Sequence, residues 1–364
     1  MSKRAWLPAL AVSISLLAAA CSSSSKSAGT AAGSSGTAAG SSASTAAATA
    51  SKGTIVVASP ECAHCLAMAL LPGQVSGYDV KFEALGTLTD LTASLASGAI
   101  NVAQIDYTGL VSFLSKGIPL VAISGEVNGG SDFVVAPKVA VAANDWTGLK
   151  NLIMSEKAAG HPMQIASEFG TVQDIELRLQ LPKYGIDPNS DVDFVNVPYQ
   201  GMAQALNSGS VEAAIPVQPF AAQITLGGFA KHFAFPYDQA AGNLTNVVVV
   251  TKSYLASHPD AVAAIAAGML KLVPYLKTSA GQSAWAAAVE KYTSLPANAV
   301  TTALAQLTPD INMPFTQVEA VATAMYNQKL IAAPIPTSEL SGDIDYQPLA
   351  TASGQSPMTF GASS

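Results

Sequence analysis

Charge is scarce in this 364-residue chain: Asp, Glu, Lys and Arg make up 11% of it, against 49% hydrophobic residues. The few charges lean acidic, with 24 Asp and Glu against 17 Lys and Arg, a formal net charge of −7 and no basic tract. Nucleic acid is therefore not an expected partner, because phosphate contacts need clustered cations. No Gly-x-Ser-x-Gly, His-Glu-x-x-His or Walker pattern occurs, so the hydrolase and nucleotide-binding classes that depend on them drop out. The chain is read as a non-enzyme with no cofactor. Beyond the first twenty residues no apolar run reaches the ~20 residues that a membrane span needs. The richest, "DAVAAIAAGMLKLVPYL" (Asp260 to Leu276), is interrupted by Lys271 and Pro274. Cysteine is limited to Cys21, Cys62 and Cys65, and histidine to four residues, of which His161, His232 and His258 show no metal-ligand spacing.

What is present at the N-terminus reads as export machinery. Lys3 and Arg4 supply a positive start, Trp6 to Leu17 a short apolar core and Ala18 to Ala20 a small-residue cleavage site, so residues 1–20 are expected to be a signal peptide. The following "LLAAAC" resembles the lipobox of bacterial lipoproteins, which implies lipidation of Cys21; the three alanines would also suit an ordinary signal peptidase. Residues 21–52 are almost all Ser, Ala, Gly and Thr, too poor in bulky apolar groups to offset ordering entropy. They read as a flexible tether with a reach of roughly 30 Å, holding an extracytoplasmic body close to a membrane that it touches by its lipid anchor only.

The remaining chain repeats itself. "LASGAINVAQID" (Leu95 to Asp106) matches "LNSGSVEAAIP" (Leu206 to Pro216): a helix end, a Ser-Gly pair and a buried strand, with Gly98 and Gly209 where a helix C′ residue needs positive φ. Upstream, "IVVAS" (Ile55 to Ser59) matches "MQIAS" (Met163 to Ser167), and "YDVKFEAL" (Tyr78 to Leu85) matches "DVDFVNVP" (Asp191 to Pro198). Each half reads β-α-β-α-β, which predicts an α/β protein of two lobes. Each lobe would be a mainly parallel sheet flanked by helices, with ligand loops at the strand carboxyl ends. The lobes are placed at 53–155 and 156–245. A return segment of C-terminal helices, 246–342, is expected to pack on lobe one, followed by a loosely held tail, 343–364.

In order along the chain, "LASGAINVAQIDYTGLVSFLSKGIPLVAISG", "IASEFGTVQDIELRLQLPKYGIDPNSDVDFVNVPYQGMAQALNSGSVEAAIPVQPFA" and "TNVVVVTKSYLASHPDAV" resemble the nitrate, sulfonate, taurine and thiamine-precursor family of ABC-transporter substrate-binding proteins. The resemblance covers roughly Thr54 to Ile331. It implies the type 2 periplasmic-binding-protein fold, a small-molecule solute held between hinged lobes, and delivery to an ABC permease driven by its ATPase. A monomer is expected. The thiamine-precursor branch also includes synthases with an iron site and a cysteine-rich loop in the second lobe; here that lobe has no cysteine.

Transferred through the repeat, the strand-end loops would place Glu61, His64, Thr87, Asp106, Tyr107 and Glu126 in the cleft from lobe one. Lobe two would contribute Glu168, Phe169, Gly170, Thr171, Tyr199, Gln218 and Phe220. Four carboxylates at strand ends, Glu61, Asp106, Glu126 and Glu168, argue against an anionic solute. One carboxylate 4 Å from a sulfonate costs about 4 kcal/mol at an effective dielectric near 20, roughly a thousandfold in affinity. The expectation is a cationic or donor-rich nitrogenous solute, pyrimidine-like in the nearest family precedent, with nitrate or sulfonate as the alternative. Gln218 stands where the family often has Glu. Thr171 with Asp174 reads as an N-cap opening a helix.

"SPECAHC" (Ser59 to Cys65) reads as a second helix start, with Ser59 as N-cap, Pro60 at the first helical position and Glu61 in the first turn. Cys62 and Cys65 then lie one turn apart on one face. In an oxidising compartment a disulfide is their ordinary fate. A soft-metal site formed by Cys62, His64 and Cys65 and a thiol-redox role are the alternatives.

Overall fold

The computed structural model describes residues 51–86 and 88–363. The export segment, Cys21, nearly all of the tether and Thr87 lie outside the described residues. Among the described residues twelve strands run in chain order as β1 (Thr54–Ser59), β2 (Asp79–Ala84), β3 (Val102–Asp106), β4 (Leu120–Gly125), β5 (Val127–Gly129), β6 (Phe133–Val135), β7 (Gln164–Ser167), β8 (Asp193–Asn196), β9 (Ala213–Ala214), β10 (Lys231–Ala234), β11 (Asn246–Thr251) and β12 (Leu307–Pro309).

The repeat is visible in the topology. One five-stranded sheet has the order β2-β1-β3-β11-β4 and a second β8-β7-β9-β6-β10, while β12 and β5 pair as a separate two-stranded ribbon. In both five-stranded sheets, the first three strands are parallel and the fourth is antiparallel to both of its neighbours. That fourth strand is lent across the molecule: β6 precedes the rest of its sheet in the chain, and β11 arrives after the second lobe is complete. Gly98 and Gly209 end equivalent helices, Leu88–Ser97 and Tyr199–Ser208, at φ of 76° and 75°. A left-handed residue there lets the chain turn into β3 and β9 without a Cβ clash.

Each sheet is covered by its own apolar clusters. Val57, Val102, Val121, Val248 and Val250 bury one face of the first sheet against helix Pro259–Leu276 and Trp285, while Tyr107, Leu110 and Val111 line the other. Phe133, Ile165, Ala213 and Phe233 centre the second sheet, with Trp146 stacked on Tyr184 at 4.2 Å between ring centroids. Helix Trp146–Ala158 thus packs in the second core, together with β6. The chain passes between lobes near residues 129–132, not at the expected boundary of 155, because β6 pairs with β9 and β10.

One expectation about the C-terminal region changes. Helix Pro259–Leu276 contains Pro274 in its last turn. It is long and apolar enough to cross a membrane, but Ile265, Met269, Leu272 and Leu276 are buried against the first sheet. The tail is not loose: Tyr346, Leu349, Ala350 and Phe360 enter a first-lobe cluster. The Tyr346 hydroxyl donates to Met313 O at 2.7 Å, and Asp343, 3% exposed, pairs with Lys252 at 2.5 Å. Its Gly, Ser and Pro content sets turns between these anchors.

A buried polar chain crosses the passage between lobes. Ser131 donates its hydroxyl to Glu176 and accepts at the same oxygen from Gln173 Nε2 at 3.2 Å, while Tyr237 accepts from Ser131 N at 2.9 Å. Burial pushes the Glu176 carboxyl well above the usual range, only partly opposed by the Ser131 hydrogen bond. An acid whose pKa is raised by folding carries more protons in the native than in the unfolded state. Between its unfolded and folded values stability therefore falls as pH rises. Glu176→Gln removes that dependence. Its melting temperature relative to the wild type is expected to climb between pH 5 and pH 8, by up to ~1.4 kcal/mol of stability per pH unit, and to stay level below pH 4. Parallel melting curves for the two proteins across that range would contradict the assignment.

Candidate functional site

A cavity of about 470 Å³ opens at the carboxyl ends of β1 and β3 in one sheet and of β7 in the other. The first lobe supplies Pro60, Glu61, Cys62, His64, Gln104 and Asp106 to its wall; the second supplies Glu168, Thr171, Gln173, Tyr199 and Phe220. A volume of this size suits a small organic molecule.

Asp106 ends β3 and caps helix Tyr107–Ser115, accepting from Gly109 N at 2.7 Å. Burial raises its carboxyl pKa, the hydrogen bonds at the cap oppose this, and the charge of Glu168 across the cavity raises it further. Glu168 accepts from Tyr199 N at 3.0 Å, at the start of helix Tyr199–Ser208. The tyrosine ring stacks at 6.1 Å on Phe220, and its hydroxyl donates to Gln173 Oε1 at 2.6 Å. Thr171 caps helix Val172–Gln180 by accepting from Asp174 N, as its spacing to Asp174 predicts. No Lys or Arg is among the described residues of the wall. Arg178 is engaged elsewhere, bonded to Asp174 at 2.8 Å with its guanidinium 3.9 Å above the Phe194 ring.

Two buried amide residues, Gln104 and Asn246, are among those lining the cavity. Gln104 Oε1 has no protein partner, while the Asn246 amide lies beside the buried Glu126 carboxyl. The antiparallel register sets Asn246 opposite Asp106. Unmade hydrogen bonds of this kind cost about 1–3 kcal/mol each unless a ligand or water makes them.

Several residues expected in the cleft sit elsewhere. Glu126 is fully buried behind the wall, close enough to Asn246 for that amide to offset part of a desolvation that holds its pKa well above normal. Tyr107 is buried in the first-lobe core because it is the first helical residue after Asp106 and turns inward. Phe169 is 45% exposed, under the Arg178 guanidinium, and Gly170 N is spent on Asp174. Gln218 turns into its own helix start, accepting from Ala222 N at 3.0 Å, so its neighbours Val217 and Pro219 face the cavity instead. Gln104, Gln173, Thr245, Asn246, Tyr292 and Leu295 line the cavity without having been anticipated. Asn246, a lone amide opening the apolar run "VVVVT", was the one readable signal among them.

The turn holding "CAHC" also differs from expectation. Residues 65–73 form a 3-10 helix, and Ser59 donates its hydroxyl to Pro60 O and does not cap it. Cys62 and Cys65 stand as a close pair, with Cα atoms 5.0 Å apart. His64 Nε2 is 3.3 Å from Cys62 Sγ, and burial lowers the imidazole pKa to about 4, so the ring is neutral.

The profile of the NMT1-like family matches residues 72–290. The chain belongs to that family. A search of curated protein sequences finds no significant match. Among solved structures, the periplasmic nitrate-binding protein NrtA of Synechocystis superposes with a TM-score of 0.70 at 14% identity, over 85% of this chain and 91% of that one. The zinc-bound ligand-binding component of an ABC-type import system from Staphylococcus aureus gives 0.67 at 14% identity, over 83% and 99%. The alkanesulfonate-binding protein SsuA of Xanthomonas axonopodis pv. citri, bound to MOPS, gives 0.60 at 15% identity, over 82% and 99%. These likenesses agree with the two sheets and their crossed fourth strands: the fold is that of the two-lobed periplasmic binding proteins.

Proposed function

We propose that this protein is the extracytoplasmic solute-binding component of an ABC importer, tethered through a lipid on Cys21, which captures a small cationic or donor-rich nitrogenous solute and presents it to a permease. The observation that carries the reading is the pairing of Asp106 and Glu168 across the cavity, one from each lobe, with no Lys or Arg in the described wall. A positive or hydrogen-rich guest relieves their repulsion and draws the lobes together, so closure is coupled to occupancy. Tyr199 and Phe220 offer a face for a planar ring, and the amides of Gln104 and Asn246 suit the edge of an aminopyrimidine. A disulfide between Cys62 and Cys65 is the resting state of the turn at the rim.

The nitrate- and sulfonate-binding neighbours favour the other charge sign, but an anion would sit against two carboxylates here. Native mass spectrometry of the protein, purified without added ligand, tests the choice. A retained adduct that is an amine or aminopyrimidine supports it, and a retained sulfonate or nitrate overturns it.

A further inference from the structure

We propose that the Cys62–His64–Cys65 turn is a redox-released soft-metal site in the cleft wall: once the cysteine pair is reduced, its two thiolates and His64 Nε2 hold one thiophilic d10 cation, with monovalent copper as the best fit. One sulfur, one imidazole nitrogen and the second sulfur all lie within 4.8 Å of one another, supplied by four consecutive residues. A metal with bonds of ~2.3 Å to sulfur and ~2.0 Å to nitrogen holds such donors roughly 3.5–4 Å apart, so only small side-chain adjustments are required. Two thiolates and an imidazole are the donor set that soft cations prefer over hard ones.

The turn does not depend on the sulfur pair for its shape. Leu66 N donates to Cys62 O at 3.0 Å, Ala67 N to His64 O at 3.4 Å, and the fully buried Trp285 donates from Nε1 to Ala63 O at 2.8 Å. Reduction therefore leaves the three donors together. His64 is 4% exposed, and its Nδ1 has no protein partner, so the imidazole has little alternative use in the fold.

The chemistry balances with a dithiol reductant. The reductant gives two electrons and two protons, the Cys62–Cys65 bond breaks to two thiols, and the reductant closes to its own disulfide. Uptake of the cation then releases the two thiol protons. Because Cys62, His64 and Cys65 line the solute cavity, a held metal alters the wall that a solute meets. The site stands independently of which solute the cleft takes.

The test uses the mature protein, reduced with a phosphine, desalted without oxygen and titrated with Cu(I) against a chromophoric chelator, with Zn(II) as a second arm. Reduced wild type is expected to take one copper, seen as a single-copper mass increase less the displaced protons. The oxidised protein should take none, Cys62→Ser and Cys65→Ser should each lose stoichiometric uptake, and His64→Gln should weaken it at least tenfold. The oxidised wild type is its own folding control, since it differs only in the S–S bond. Absence of stoichiometric copper in the reduced wild type, equal uptake by Cys62→Ser, or preference for zinc over copper would overturn the assignment and leave the solute reading untouched.

Discussion

Asp106→Asn is expected to weaken binding of a cationic nitrogenous solute by roughly 30- to 100-fold while leaving the fold intact. A full charge at 4 Å is worth about 4 kcal/mol at an effective dielectric near 20. The raised pKa of Asp106, set by burial and by Glu168, means that part of this attraction is spent on ionising the group. About 2–3 kcal/mol then remains, which is the stated loss. Asparagine caps helices as well as aspartate does, so the bond from Gly109 N survives and the melting temperature should hold within a degree or two. Loss of the charge also removes the repulsion with Glu168, and an anion that the wild type rejects should bind the variant better. Calorimetric titration of both proteins with the same amine reads the change directly; unchanged affinity would mean that the solute does not meet this carboxylate.

Trp285→Ala is expected to give the largest loss of stability, about 3–5 kcal/mol by the usual scale for emptying a buried aromatic site. The indole is fully buried in the first-lobe cluster, and its Nε1 holds Ala63 O, in the turn between the two cysteines. Trp285→Phe separates the two contributions: it retains most of the packing and loses the hydrogen bond, about 1 kcal/mol with a further cost for the stranded carbonyl. Urea unfolding of the three proteins gives the comparison. If the alanine variant lost less stability than the phenylalanine variant, the turn would not be anchored as described.

The duplication was legible because both halves use the same short signals: a Ser-Gly helix end and an apolar strand whose last residue is polar. Gly98 and Gly209 needed no tertiary knowledge, since a left-handed C′ residue is a local demand. The exchange of β6 and β11 between sheets was not legible, because a run such as "FVV" carries no mark of which sheet it will join. The same limit explains the site. Asp106, Glu168, Thr171 and Tyr199 lie directly at strand or helix ends that periodicity locates. Tyr107 and Gln218 lie one or two residues away, and a rotation of that size about a helix start turns a side chain from cleft to core. Tyr292, in the last turn of helix Ser279–Thr293, and Leu295, just past it, reach the cavity from a region distant in sequence, an approach fixed only by packing of the C-terminal region.

The acidic cleft, with no Lys or Arg in its described wall, is tested most directly by titrating one protein preparation calorimetrically with a cationic aminopyrimidine, an aliphatic amine, an alkanesulfonate and nitrate at a single pH and salt concentration. Binding of at least one of the first two, with no measurable heat from the others, is the expected result. Tight binding of the sulfonate or of nitrate, with the nitrogenous compounds silent, would contradict the charge argument on which the function proposed for this cleft rests.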